Sequence, residues 1–203
     1  MDPAFLLTAL VVVLMPGAGV IYTLAIAMGR GRTASVAAAV GCTLGILPHI
    51  AAAILGLAAL LHASAVLFQS VKFAGVIYLL WMAWQALREH GLLRTKPDRT
   101  ATTHRAIIRR GFLINIFNPK LSIFFLAFLP QFVPADTSAP ALTMAWLGFV
   151  FMVMTLVIFV GYGQVAAFIR GRVLESPRAM TWLRRSFAAA FAFVGLRLAL
   201  TTR

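Results

Sequence analysis

Six apolar runs separated by short polar segments account for nearly the whole chain. They extend from about Ala4 to Met28, Ala34 to Leu61, Ala65 to Leu87, Gly111 to Val133, Pro140 to Ile169 and Trp182 to Leu200. A helix of about 20 apolar residues crosses a hydrocarbon core of about 30 Å. The pattern therefore predicts six transmembrane helices. Their connections are short except for a polar linker over Arg88–Arg110, so residues 1–203 read as one membrane domain.

Two of the runs are interrupted. The first contains Met15-Pro16-Gly17-Ala18-Gly19. Pro16 has no N–H, so the carbonyl of Val12 loses its helical donor. Gly17 and Gly19 let another group approach the backbone closely. With no charged side chain there, a ligand would meet only backbone groups. A half-helix starting near Gly17 would offer N–H donors and a partial positive charge, which suit a carboxylate. A hinge or packing notch is the alternative reading.

The fourth run contains Asn115-Ile-Phe-Asn-Pro-Lys120. Pro119 frees the carbonyl of Asn115 and pushes Asn118 out of helical geometry. Asn115 and Asn118, three apart, share a helix face. A lysine at mid-membrane costs about 2.5–3.5 kcal/mol on insertion scales. Freed backbone groups in lipid need partners from protein or from a water-filled cavity. One reading is a kink, with Lys120 snorkelling and the amides joining helices. The favoured reading is a broken helix that lines a polar site.

Composition supports the membrane assignment: 62% of residues are hydrophobic and 11% charged, more apolar surface than a soluble domain of this length can hide. The net charge of +13 would suggest nucleic acid in a soluble protein. Here the basic residues cluster in alternate connections: Arg30 and Arg32, then Arg88 to Arg110, then Arg170 to Arg185. The loops around His62 and Asp136 have none. Positive loops stay in the cytoplasm, so both termini are expected to face outward. The basic linker suits anionic lipid rather than a nucleic-acid partner. Residues 1–87 and 111–203 then read as two inverted three-helix repeats about a cytoplasmic linker, 88–110. Each repeat has a broken first helix, the pattern that marks a midplane site in transporters.

The remaining polar groups narrow the chemistry. Gly41 and Gly45, four apart, suit close helix packing. Cys42 and His49 share a face, but two ligands do not make a metal site. His49 is either a hydrogen-bonded structural histidine or a member of a proton pathway. The acidic residues Asp2, Glu89, Asp98, Asp136 and Glu175 all fall at termini, loops or span edges. No carboxylate is placed to hold a cationic substrate. No acid–base pair or activated nucleophile is embedded either, so neither an enzyme nor a bound cofactor is expected.

These residues together resemble the lysine exporter/RhtB-type amino-acid export family, over nearly the whole chain. Asn115-Ile-Phe-Asn-Pro-Lys120 resembles its Asn-x-x-Asn-Pro-Lys signature, the most specific match. Pro16-Gly17-Ala18-Gly19 is similar to the Pro-Gly-small-Gly form of the first break found in homoserine-lactone-type members. Gly29-Arg30-Gly31, Gly41 with Gly45 and His49, Gly75-Val-Ile-Tyr-Leu79 and Pro130-Gln131-Phe132 match further segments. The resemblance implies proton-driven efflux of an amino acid or derivative across a bacterial inner membrane. Two departures stand out: Gly19 replaces the asparagine of the commoner form, and Thr155 stands where some relatives carry an acid.

The expected function is therefore secondary-active export of a neutral amino acid or derivative, such as homoserine, threonine, leucine or homoserine lactone. Pro16, Gly17, Gly19, Asn115, Asn118, Pro119 and Lys120 are the expected substrate-binding residues, with His49 on a proton pathway. The small-residue faces are compatible with a homodimer. A non-transporting scaffold, an intramembrane lipid-processing protein and a channel are the rival readings.

Overall fold

A computed structural model describes residues 2–15, 17–61, 77, 84, 103–134, 136–168 and 185. The described residues are helical, with no strand among them. Expected spans three and six, most of the linker, and Pro16 lie outside the described residues.

Helix α1, Pro3–Leu14, starts where Asp2 accepts a hydrogen bond from the Ala4 N–H at 2.7 Å. It stops because Met15 precedes a proline and is extended (φ −66°, ψ 128°). Helix α2, Ala18–Arg30, follows from an extended Gly17. Gly31 then turns the chain in a single residue at φ 87°, a conformation open mainly to glycine. Helix α3, Arg32–Leu44, leads through a tight turn at Gly45 and Ile46 into α4, Leu47–Leu61. This third interruption was not expected from the apolar pattern. Pro48 explains it, because it cannot donate to the Leu44 carbonyl; Ile46 N–H instead closes a short turn on Thr43.

Helix α5, His104–Ile116, begins inside the expected linker. Thr103 caps it, accepting from the Ala106 N–H at 3.2 Å. The chain breaks at Phe117 and Asn118 and resumes as α6, Pro119–Ile123. It continues as a π-helical turn over Phe124–Phe128 and a 3₁₀ turn over Leu129–Phe132. Pro130 cannot continue the α pattern there. Helix α7, Pro140–Phe168, is a long uninterrupted span.

Arg32–Gly56 and Pro140–Phe168 are each long and apolar enough to cross a bilayer. The α1–α2 pair, bent by 51°, and the segment His104–Phe132, bent by 52°, are each long and apolar enough together to count as one further candidate span, which makes two to four among the described residues. Both bends stand where proline and glycine or asparagine interrupt the apolar runs.

Contacts fix the helix directions. Gly41 faces Ile108 and Gly45 faces Phe112, so α3 and α5 run parallel. Gly163 meets Ser35 and Gly148 meets Ile50, so α7 runs antiparallel to α3 and α4. At the α3–α5 crossing, a Cβ on Gly41 would strike the Ile108 backbone, and one on Gly111 would lie 3.0 Å from the Ala38 carbonyl oxygen. The glycines on both helices let the backbones touch. The exposed guanidinium residues Arg30, Arg32, Arg105 and Arg109 gather at one end of the bundle. Phe5 and Phe132 pack edge to face at the other, with ring centroids 5.4 Å apart.

Candidate functional site

The two broken spans cross at their breaks. Lys120, on the first turn of α6, is buried and reaches back to the end of α1. Its Nζ donates to the carbonyl of Val12 at 3.0 Å and to that of Met15 at 3.1 Å. The Val12 carbonyl is the one that Pro16 leaves without a helical donor. An ammonium at a helix C-terminus also meets the negative end of the helix dipole. Gly17 is in extended conformation beside it, and a Cβ there would lie 3.1 Å from Lys120 Nζ. Asp2 and Asp136, the described acidic residues, are exposed and lie outside this site.

Asn118 caps α6, its Oδ1 accepting from the Lys120 N–H at 3.1 Å. Its Nδ2 donates to Asn115 Oδ1 at 3.3 Å, and Asn115 Nδ2 donates to the Cys42 carbonyl at 2.7 Å. The two amides thus form a chain from α3 to the lysine's own backbone. Gly19 makes room for it: a Cβ there would sit 2.6 Å from Asn115 Oδ1 and 3.0 Å from the Phe159 ring. A larger residue at this position requires the Asn115 side chain to move.

His49 lies one layer behind. Its Nε2 is 2.9 Å from the Asn115 carbonyl oxygen. A carbonyl only accepts, so Nε2 carries the hydrogen and Nδ1 is the acceptor in the neutral ring. Ser122 Oγ lies 3.4 Å from that Nδ1 and 3.4 Å from the Asn118 carbonyl oxygen. Pro119 is exposed and is the first residue of α6, directly after the capping Asn118.

Val12, Gly19, Asn115, Asn118, Lys120 and Thr155 enclose a small cavity, closed on its apolar side by Phe151 and Phe159. Its volume is about 10 Å³, room for roughly one water and not for an amino acid. The site is shut. Thr155 turns its hydroxyl back to the Phe151 carbonyl at 2.8 Å. A larger groove of about 540 Å³ runs from Leu44 and Phe112 to Arg105 and Arg109. Its walls are apolar side chains, Thr103 and the two guanidinium groups, without the buried amides and ammonium of the central cluster.

Of the expected site residues, Gly17, Gly19, Asn115, Asn118 and Lys120 come together, and His49 supports them. Sequence reasoning did not find Met15, Ser122 or the Cys42 carbonyl. Backbone acceptors and a short serine carry no distinguishing pattern in an apolar run.

The described residues are those of a helical membrane protein in which two interrupted apolar segments meet at a buried polar cluster. The chain belongs to the LysE type translocator family, which matches residues 10–202. It is a transport protein, not an enzyme. It is 32% identical over 197 residues to an uncharacterized membrane protein of Vibrio cholerae, covering 97% of this chain and 95% of that one. It is 30% identical over 200 residues to the homoserine/homoserine lactone efflux protein of Salmonella typhimurium, covering 97% and 94%. A leucine efflux protein of Klebsiella pneumoniae is 28% identical over 158 residues, covering 73% and 74%. No solved structure matches the chain.

Proposed function

We propose that this protein exports a neutral amino acid or a close derivative from the bacterial cytoplasm, as a secondary-active carrier driven by the proton gradient. The observation that carries the reading is the meeting of both helix breaks at one buried ammonium–amide cluster. Efflux relatives of homoserine, homoserine lactone and leucine agree with a small, uncharged side chain on the substrate. So does the cavity wall, which has Phe151 and Phe159 on one side and Lys120 on the other. Two inverted three-helix repeats, 1–87 and 111–203, would rock about this point, with the basic linker and loops in the cytoplasm and the termini outside.

In this mechanism Lys120 binds the substrate's carboxylate or lactone carbonyl. Asn115 and Asn118 donate and accept around it, and Gly17 and Gly19 permit the close approach. Pro16 and Pro119 set the breaks. His49 is the residue assigned to the proton pathway. With Nε2 donating to the Asn115 carbonyl, its Nδ1 faces the Ser122 hydroxyl at 3.4 Å, which links it to the second break.

The test is uptake into inside-out vesicles with labelled leucine, threonine and homoserine, with and without an imposed pH gradient. Saturable uptake that collapses with the gradient is expected. Asn115→Ala and Lys120→Ala should lose it at equal membrane abundance; full transport by both variants would remove the site assignment.

A further inference from the structure

The carbonyls of Val12 and Met15 already hold an ammonium, that of Lys120, at 3.0 and 3.1 Å. We propose that this carbonyl pair is the binding subsite for the substrate's primary α-ammonium, and that Lys120 occupies it when the carrier is empty. The inference rests on the amino-acid exporter reading and adds what that reading lacks, a place for the substrate's positive end.

A zwitterion entering the cluster brings one carboxylate and one ammonium. The carboxylate draws Lys120 Nζ toward itself, since an ion pair in a dry site is strong. That movement would strip Val12 and Met15 of their donor, and unpaired carbonyls in a membrane interior are costly. The described residues offer no carboxylate to take the incoming ammonium: Asp2 and Asp136 are both exposed. The vacated carbonyl pair is the acceptor of matching chemistry, because it held an ammonium before the exchange. One cation replaces another, so the acceptors are satisfied both loaded and empty. A carrier that must close in both states needs this property.

The exchange also accounts for a residue without a side chain at position 17. A Cβ at Gly17 would lie 3.1 Å from Lys120 Nζ and 3.4 Å from its Cε, so a side chain there would crowd the space through which the lysine swings. Substrate selection follows. A free primary amine is required, whereas the carboxylate can be replaced by a lactone or ester carbonyl that accepts from Lys120. N-acylated lactones, N-acylated amino acids and deaminated acids are excluded.

The experiment has two arms. In the first, parent protein in proteoliposomes transports labelled leucine or homoserine against unlabelled competitors. Leucine methyl ester, which keeps the ammonium, should compete within about tenfold of leucine, whereas 4-methylpentanoate and N-acetyl-leucine should compete about 10- to 100-fold more weakly, as expected for lost hydrogen bonds to a charged group. Equal competition by the amine-free compounds overturns the subsite while leaving the exporter reading intact. In the second arm, thermal unfolding of purified Lys120→Ala is followed in ethylammonium, tetramethylammonium or sodium chloride at one ionic strength. Ethylammonium alone should restore at least half of the lost stability. Restoration by sodium to the same extent, or by no cation, overturns the proposal. Should Lys120→Ala not fold, the competition experiment decides. Restoration by ethylammonium in a protein that moves no amino acid would uphold the ammonium subsite and remove the exporter reading.

Discussion

Lys120 Nζ lies 3.0 Å from the carbonyl oxygen of Val12, a residue 108 positions earlier in the chain. The acceptor is orphaned by Pro16, and the donor is a lysine that a bilayer interior would otherwise reject. The second break repeats the arrangement. Pro119 withholds a donor from Asn115, and His49 supplies one from α4 at 2.9 Å. Each broken helix is completed by a side chain from another element.

Replacing Lys120 with methionine keeps the volume and removes the donor. The Val12 and Met15 carbonyls are then left buried, and the loss of hydrogen bonds to a charged group should destabilise the protein by about 1.5–3 kcal/mol. Thermal unfolding in detergent measures it. An unfolding midpoint equal to the parent's would mean that the lysine does not hold the break.

His49→Leu should cost less, about 0.5–1.5 kcal/mol, because the Asn115 carbonyl also accepts from the Asn118 N–H at 3.1 Å. Pro119→Ala supplies the missing helical N–H. The double variant should therefore be more stable than the sum of the single changes predicts. Strict additivity would show that His49 and Pro119 do not act on the same carbonyl.

Gly19→Ala places a methyl 2.6 Å from Asn115 Oδ1, so the amide chain must shift. A loss of about 1–3 kcal/mol is expected for such overpacking, together with slower leucine or homoserine uptake per folded molecule. Gly56→Ala is the control: its Cβ would meet only Leu126 at 3.7 Å, and a helical glycine replaced by alanine gains about 0.5–1 kcal/mol. Equal effects of the two substitutions would count against the assigned crowding at Gly19.

Gly41→Ala tests the α3–α5 crossing. The obstacle is the Ile108 backbone rather than a movable side chain, so the helices must separate. This variant should lose more stability than Gly19→Ala in the same unfolding assay, and Gly111→Ala, which meets backbone of Ala38 and Cys42, should behave alike. Parent-like unfolding of both would show that the helices cross further apart.

Much of this protein was legible in the residue order. Apolar runs of membrane length predicted helices, and α7 starts at Pro140, the first residue of the expected span. Pro16 and Pro119 marked both breaks and named Val12 and Asn115 as carbonyls in need of donors, since a missing N–H is a property of the covalent chain. Gly41 with Gly45 announced a close helix crossing. The tertiary structure decided who answers the carbonyls. That Lys120 faces Val12 and Met15, and that His49 faces Asn115, depends on how helices far apart in sequence pack together. Hydrogen bonds of this kind leave no periodic signal in the sequence. The same packing decided that the space between the breaks has room for about one water, because cavity volume is set by how Phe151 and Phe159 meet the breaks rather than by any residue alone.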